Sequence, residues 1–167
     1  IHAPADVPEW QDKDDPRKEI TIDQLLRMSS GLQFAEDYVD AGVSDVIEML
    51  FGKGSDDVAS FAANFPLEHA PDSHWSYASG TSNIVARIAS CAIGKTGDDF
   101  RDWMFEALFD RIGITSAAPK FDPAGTFIGS SFCYATARDF ARFGLLYMRD
   151  GVWNGQSLLP EGWVDNA

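Results

Sequence analysis

The sequence predicts a mainly α-helical chain. Three observations carry this: apolar residues recur at helical spacing, capping residues and glycines punctuate the segments, and long strands never alternate with helices. The 167 residues fit one domain, long enough to bury a core. Hydrophobic residues make up 45% and aromatics 13%, which argues against disorder.

The elements follow in order. Residues 1–19 read as an extended surface connection rich in Pro, Asp and Ala. Thr21-Ile22-Asp23-Gln24 then forms a capping box, with Ile20 and Leu25 placed as a hydrophobic staple. Leu25, Leu26 and Met28 supply an apolar stripe, and Gly31 is the expected left-handed stop. Short helices are expected over Ser44 to Phe51, closed by Gly52, and over Ser55 to Ala63, with Asp56 and Asp57 in the first turn. Pro66 and Pro71 bracket a loop leading to Tyr77.

A helix over residues 80–93 places Ile84, Val85, Ile88 and Ala92 at helical spacing and ends at Gly94. The clearest amphipathic helix is Asp98 to Ile112, with Trp103, Met104, Leu108 and Ile112 inward and Gly113 closing it. Thr126 to Tyr134 is rich in strand formers and Gly, and is expected to form at most a small β-hairpin. Thr136 opens a helix to Met148, stopped near Gly151, and Asn154-Gly155 is a turn signal. Pro160 starts a last helix, which the chain abandons at Ala167.

Composition excludes several functions. A formal net charge of −13 repels phosphate backbones, so nucleic acid is not an expected partner. The acidic residues cluster early and read as solvated loops and helix first turns. Cys91 and Cys133 form no disulfide framework and read as small core residues. His2, His69 and His74 lack partners at metal spacing, and no phosphate-cradling glycine loop is present, so no metal or cofactor is expected. No apolar run approaches the roughly 20 residues of a membrane span. The compartment stays open between periplasm and cytoplasm.

A nucleophilic Ser-x-x-Lys pair would put nucleophile and base one helical turn apart. The residues three before each lysine are Trp10, Asp15, Leu50, Ala92 and Ala117, so these 167 residues hold no such pair. There is no Gly-x-Ser-x-Gly elbow either. Lys95-Thr96-Gly97 matches an active-site tripeptide in wording. Lying between two expected helices, it reads instead as a helix–helix turn, with Thr96 or Asp98 as N-cap.

The positive signal is Trp75-Ser76-Tyr77-Ala78-Ser79-Gly80, where a Tyr stands two residues before a hydroxyl at a loop-to-helix junction. Tyr77-Ala78-Ser79 resembles the Tyr-x-Asn/Ser motif of the serine β-lactamase-like, penicillin-recognising superfamily. Its members include class C β-lactamases, D-Ala-D-Ala carboxypeptidases, esterases and 6-aminohexanoate-oligomer hydrolases. Three further stretches resemble the same superfamily in the same order: Ile20 to Leu32, Ser131 to Leu145 and Gly155 to Val164. Glu36-Asp37-Tyr38-Val39-Asp40 is similar to the oligoamide-hydrolase branch.

The resemblance implies a helical insert subdomain, residues 20–167, of a β-lactamase/transpeptidase-like α/β fold. The flanking α/β domain of the same chain, with the Ser-x-x-Lys nucleophile, would lie outside these residues. It also implies acyl-enzyme hydrolysis of a small-molecule amide, ester or β-lactam. In that scheme Tyr77 exchanges a proton with the nucleophile and passes it to the leaving group, and Ser79 hydrogen-bonds substrate or the catalytic Lys. A Tyr at the position of Tyr38 contacts the substrate amide in the oligoamide branch. Trp75, with Phe127, Phe132 and Tyr134, is placed to wall a pocket, and Gly129 and Ser130 lie in a loop placed to approach substrate. The fragment alone is expected to be inactive and able to self-associate through its uncovered apolar face. The competing reading is a noncatalytic penicillin-binding-like interaction domain.

Overall fold

The computed structural model describes residues 1–39 and 42–166. Asp40 of the stretch beginning at Glu36, and Ala167, lie outside the described residues. Among the described residues six α-helices carry the architecture: α1 (Ile22–Leu26), α2 (Asp45–Phe51), α3 (Val58–Ala63), α4 (Ser79–Ile93), α5 (Gly97–Met104) and α6 (Ala137–Met148). Two antiparallel pairs of two-residue strands complete it: β1 (Ala118–Pro119) with β2 (Cys133–Tyr134), and β3 (Val152–Trp153) with β4 (Gln156–Ser157).

Local capping chemistry explains most helix starts. Thr21 and Gln24 form the reciprocal capping box of α1. Ser44 accepts the Ile47 N–H at the start of α2, and Thr136 accepts the Asp139 N–H at the start of α6. Asp57, expected inside the third helix, is instead its N-cap: its carboxylate accepts the Ser60 N–H, so α3 begins three residues later than expected. Gly94 and Gly113 take left-handed conformations at the helix ends where the sequence placed stops. Lys95 and Thr96 link α4 to α5, with Thr96 at the N-cap position and Gly97 the first residue of α5.

Several expectations are corrected. Residues 1–19 form two 3₁₀ turns, Pro8–Trp10 and Pro16–Glu19, rather than a purely surface connection. Ala5, Val7 and Trp10 are core residues, and the Trp10 indole donates to the Ala63 carbonyl at 2.8 Å. Helix α1 stops at Leu26; Met28 is left-handed (φ 57°), Gly31 is a second left-handed residue further on, and Leu26 is exposed.

The helix expected over 98–112 widens after Met104 into a π turn, Phe105–Phe109, and tightens into a 3₁₀ turn, Asp110–Ile112. Ile112 is fully buried, but Trp103, Met104 and Leu108 are only partly so. Cys91 and Ala92 face outward. Residues 161–163 are turn rather than helix, followed by a 3₁₀ turn at Val164–Asn166.

The hairpin expected within 126–134 does not form there. Cys133 and Tyr134 pair with Pro119 and Ala118, and the reversal sits earlier, between Asp122 and Thr126. Asp122 drives it. Its buried carboxylate accepts the Thr126 N–H (2.7 Å) and, 64 residues back in the chain, the Val58 N–H that opens α3 (2.9 Å). The Asn154-Gly155 turn joins β3 to β4, so the described residues hold two small ribbons where at most one hairpin was expected.

Two apolar clusters form the interior. The larger gathers Val7, Trp10, Ile20, Leu25, Val46, Met49, Val58 and Ile84 from residues 1–39 and α2 to α4. The smaller gathers Phe109, Ile112, Ile114 and Leu146 between the π turn and α6. Within the larger cluster α4 packs principally against α3 and α1, and this fixes where its N-terminus points.

Candidate active site

Helix α4 begins without a capping side chain of its own, because its N-cap residue is Ala78. A buried, uncapped N-terminus would leave N–H groups unsatisfied. The missing acceptor comes from 43 residues upstream. Glu36 takes the Ser79 backbone N–H on one oxygen (2.8 Å) and the Ser79 hydroxyl on the other (2.6 Å). The Tyr38 hydroxyl donates to the same oxygen as the Ser79 hydroxyl. Hydrogen bonding to the Glu36 carboxylate, with burial second, raises the Tyr38 phenol above its usual range, and the neighbouring Tyr77 adds to the shift.

Why Glu36 reaches this point is a matter of packing. The Ala35 N–H donates to the Asp45 carboxylate (2.7 Å) and the Asp45 N–H returns to the Ala35 carbonyl (3.0 Å), fastening the segment to the start of α2. Phe34 lies against Gly80: a Cβ there would sit 2.8 Å from the Phe34 ring and 3.0 Å from the Ala62 Cβ. Glycine at 80 is therefore required by close approach inside a helix, despite its poor helix propensity.

On the other flank, the Ser76 N–H donates to the Met28 carbonyl at 2.9 Å. The Thr81 hydroxyl donates to the Ala78 carbonyl (2.7 Å) and lies 3.0 Å from the Met28 sulfur. The left-handed Met28 thus braces the loop carrying Tyr77 from below, a backbone conformation that costs on the order of 1–3 kcal/mol and is held by its surroundings.

Of the residues singled out in the sequence, the structure brings Tyr38 and Ser79 together and sets Tyr77 beside them. Ser79 is 1% exposed, whereas Tyr77 is 50% and Tyr38 63% exposed. Among the described residues no hydrogen bond engages the Tyr77 hydroxyl, which stands open at the junction of loop and helix. Trp75 is 66% exposed on the same approach.

Gly129 and Ser130 lie further along α4. Ser130 donates its N–H to the Asn83 carboxamide (3.3 Å) and accepts the Asn83 amide on its hydroxyl (3.2 Å), one helical turn beyond Ser79. The expected aromatic wall divides. Phe127, with Gly129, lines an apolar groove of about 330 Å³ between α4 and α5, while Phe132 stacks on Tyr134 and meets Phe51 edge-on.

Glu36 is the site residue that sequence reasoning missed. The one local signal was negative: a helix that opens at Ala78 must be capped from elsewhere. His69 and His74 face each other with ring centroids 4.4 Å apart. No group of three or more His, Cys, Asp or Glu among the described residues is arranged to hold a metal ion. No helix among them is long and apolar enough to cross a membrane.

The site is thus an open phenol beside a buried serine at the N-terminus of a long helix. The family model that matches residues 2–167 is Beta-lactamase, and the chain belongs to that family. Among solved structures, it is similar to a protein assigned as a 6-aminohexanoate-dimer hydrolase from Bacillus anthracis. The TM-score is 0.75 with 22% identity, over 92% of this chain and 42% of that one. It is also similar to a protein assigned as a beta-lactamase from Bacteroides dorei DSM 17855, with a TM-score of 0.69 and 20% identity, over 97% of this chain and 46% of that one. At these identities the likeness is one of fold. The chain spans less than half the length of either protein. No curated protein matches. The superfamily resemblance read from the sequence is thereby borne out.

Proposed function

We propose that this chain is the helical, tyrosine-bearing part of a serine acyl-hydrolase, whose Ser-x-x-Lys nucleophile is supplied from outside these 167 residues. The observation that carries the reading is the Tyr77 hydroxyl: half-exposed, free of hydrogen bonds among the described residues, and beside a serine held in place by Glu36. In the proposed reaction a serine oxygen attacks the acyl carbon of an amide, ester or β-lactam. The Tyr77 oxygen receives the serine proton as its own phenolic proton passes to the departing nitrogen or oxygen, leaving an acyl-enzyme that water hydrolyses. Ser79 orients substrate or the lysine, and Tyr38, Trp75, Gly129 and Ser130 flank the acyl or leaving group.

The test is Tyr77→Phe in the full-length protein. General acid–base catalysis contributes roughly 10²–10⁴-fold, so kcat on p-nitrophenyl acetate or nitrocefin should fall by about that factor while the thermal midpoint holds. An unchanged kcat removes Tyr77 from the chemistry. The isolated chain should show no burst of acylation.

The absence of a Ser-x-x-Lys pair within these residues also favours a second reading, a noncatalytic penicillin-binding-like module. A full-length protein that binds a labelled penicillin reversibly and never acylates would select it.

A further inference from the structure

Tyr77 presents its phenol from a loop, and the residues on either side of it are tied to one distant residue. Before it, the Ser76 N–H donates to the Met28 carbonyl at 2.9 Å. After it, the Ala78 carbonyl accepts the Thr81 hydroxyl at 2.7 Å, and that hydroxyl lies 3.0 Å from the Met28 sulfur. Ala78 and Thr81 are both buried. The carbonyls that follow Met28 hold the earlier part of the same loop. Ser29 accepts the Asp72 N–H (2.8 Å), and Gly31 accepts those of Glu68 (2.9 Å) and His69 (3.1 Å). With no hydrogen bond on the Tyr77 hydroxyl among the described residues, these backbone anchors decide where the phenol stands.

Met28 itself is left-handed, with φ 57°. Glycine or asparagine would be the less strained choice there. A glycine would offer Ser76 the same carbonyl, but nothing to lie against Thr81. A side chain held in a disfavoured backbone well points to a local function.

We propose that Met28 is a positioning residue for the Tyr77 phenol. Its carbonyl fixes the residue before the tyrosine, and its sulfur backs the hydroxyl that fixes the residue after. The clamp stands on geometry alone; its effect on turnover rests on the hydrolase reading. A group that relays protons must be held to within about 0.5 Å of its productive place.

The decisive variant is Met28→Gly in the full-length protein, which keeps the carbonyl, relieves the bend and removes the sulfur. On p-nitrophenyl acetate kcat should fall about 10- to 100-fold with KM nearly unchanged, as for a slight misplacement of a reacting group. A residue with a merely structural role would not act through Tyr77. On a Tyr77→Phe background, Met28→Gly should therefore cost less than about twofold.

Backbone ¹⁵N relaxation gives a readout independent of turnover. The Tyr77 and Ala78 amides should have order parameters of about 0.85 in the wild type and fall below about 0.6 in Met28→Gly. The Trp10 indole, bonded to the Ala63 carbonyl, should stay as it was. If Met28→Gly does not fold, Thr81→Val, which leaves Met28 in place and removes the hydroxyl, should lower kcat and loosen the same two amides. Unmoved Tyr77 and Ala78 amides, a kcat loss that persists in full beside Tyr77→Phe, or wild-type kcat in Met28→Gly where Tyr77→Phe is slow would each overturn the proposal. Loosened amides alongside a Tyr77→Phe protein of full activity would sink the hydrolase reading and leave the clamp standing.

Discussion

At the scale of single residues, the most informative carboxylate outside the site is Asp139, near the start of α6. It is buried and accepts the Thr115 N–H (3.1 Å), the Ser116 N–H (2.9 Å) and the Ser116 hydroxyl (2.7 Å), and it pairs with Arg142. The Ser116 hydroxyl and N–H, opposed by burial and helped by Thr115 and Arg142, hold its carboxyl at about 2. A depressed carboxyl contributes stability that is complete above its unfolded value, about 3.9, and is lost as pH falls through the folded value. Denaturation midpoints should therefore drop between about pH 4 and pH 2 in the wild type. In Asp139→Asn that part of the drop should vanish, together with some stability at neutral pH. An acid limb identical in the two proteins would contradict the assignment. The sequence marked this aspartate through the stretch it shares with the superfamily, but its partners at 115 and 116 are too distant in the chain for any spacing rule to pair them.

At the scale of elements, legibility follows the range of the interaction that decides each one. Thr21, Ser44 and Thr136 cap helices through bonds that close within three residues, so the sequence placed these three helix starts to within one residue. The Asn154-Gly155 turn is equally local. The π turn after Met104 and the β1–β2 pairing are settled by packing between segments, and no local pattern announced them. The same division runs through the site. Tyr77 and Ser79 were legible as a motif, whereas Glu36 became visible only when the segment around Phe34 was seen against Gly80.

That contact is testable. Gly80→Ala drives a methyl into the Phe34 ring, and overpacking of this kind costs about 1–3 kcal/mol. A better helix propensity at that position returns only about 1 kcal/mol. The variant should be less stable to denaturant. The Ser79 amide should also exchange faster with solvent, because the segment bearing Glu36 is pushed from α4. A variant as stable as wild type, with an unchanged Ser79 exchange rate, would show that the close approach is not tight.

At the scale of the whole molecule, the two apolar clusters could in principle melt one after the other. Residues 118–134 oppose this. They place Ile128 in the larger cluster and Cys133 against the smaller one, and Asp122 fastens their reversal to the first turn of α3. Burial pushes the Asp122 carboxyl up, and the Val58 and Thr126 N–H groups hold it down. The carboxylate is thus kept at a cost because it joins parts of the chain 64 residues apart. Heating the wild type should give a single transition, with Trp10 and Trp153 reporting one midpoint by site-resolved NMR. Asp122→Ala should split it, the smaller cluster going first. A single sharp transition in that variant would show that the clusters are coupled by other means.

The same fastening bears on the open groove between α4 and α5. Phe127 and Gly129 form part of that groove's wall, and they hang from the turn that Asp122 ties down. Anything that settles there presses on a span anchored at both ends, so its arrival would be felt at the start of α3 as well as at its own floor. Loosening the Asp122 carboxylate would change how readily that cleft yields.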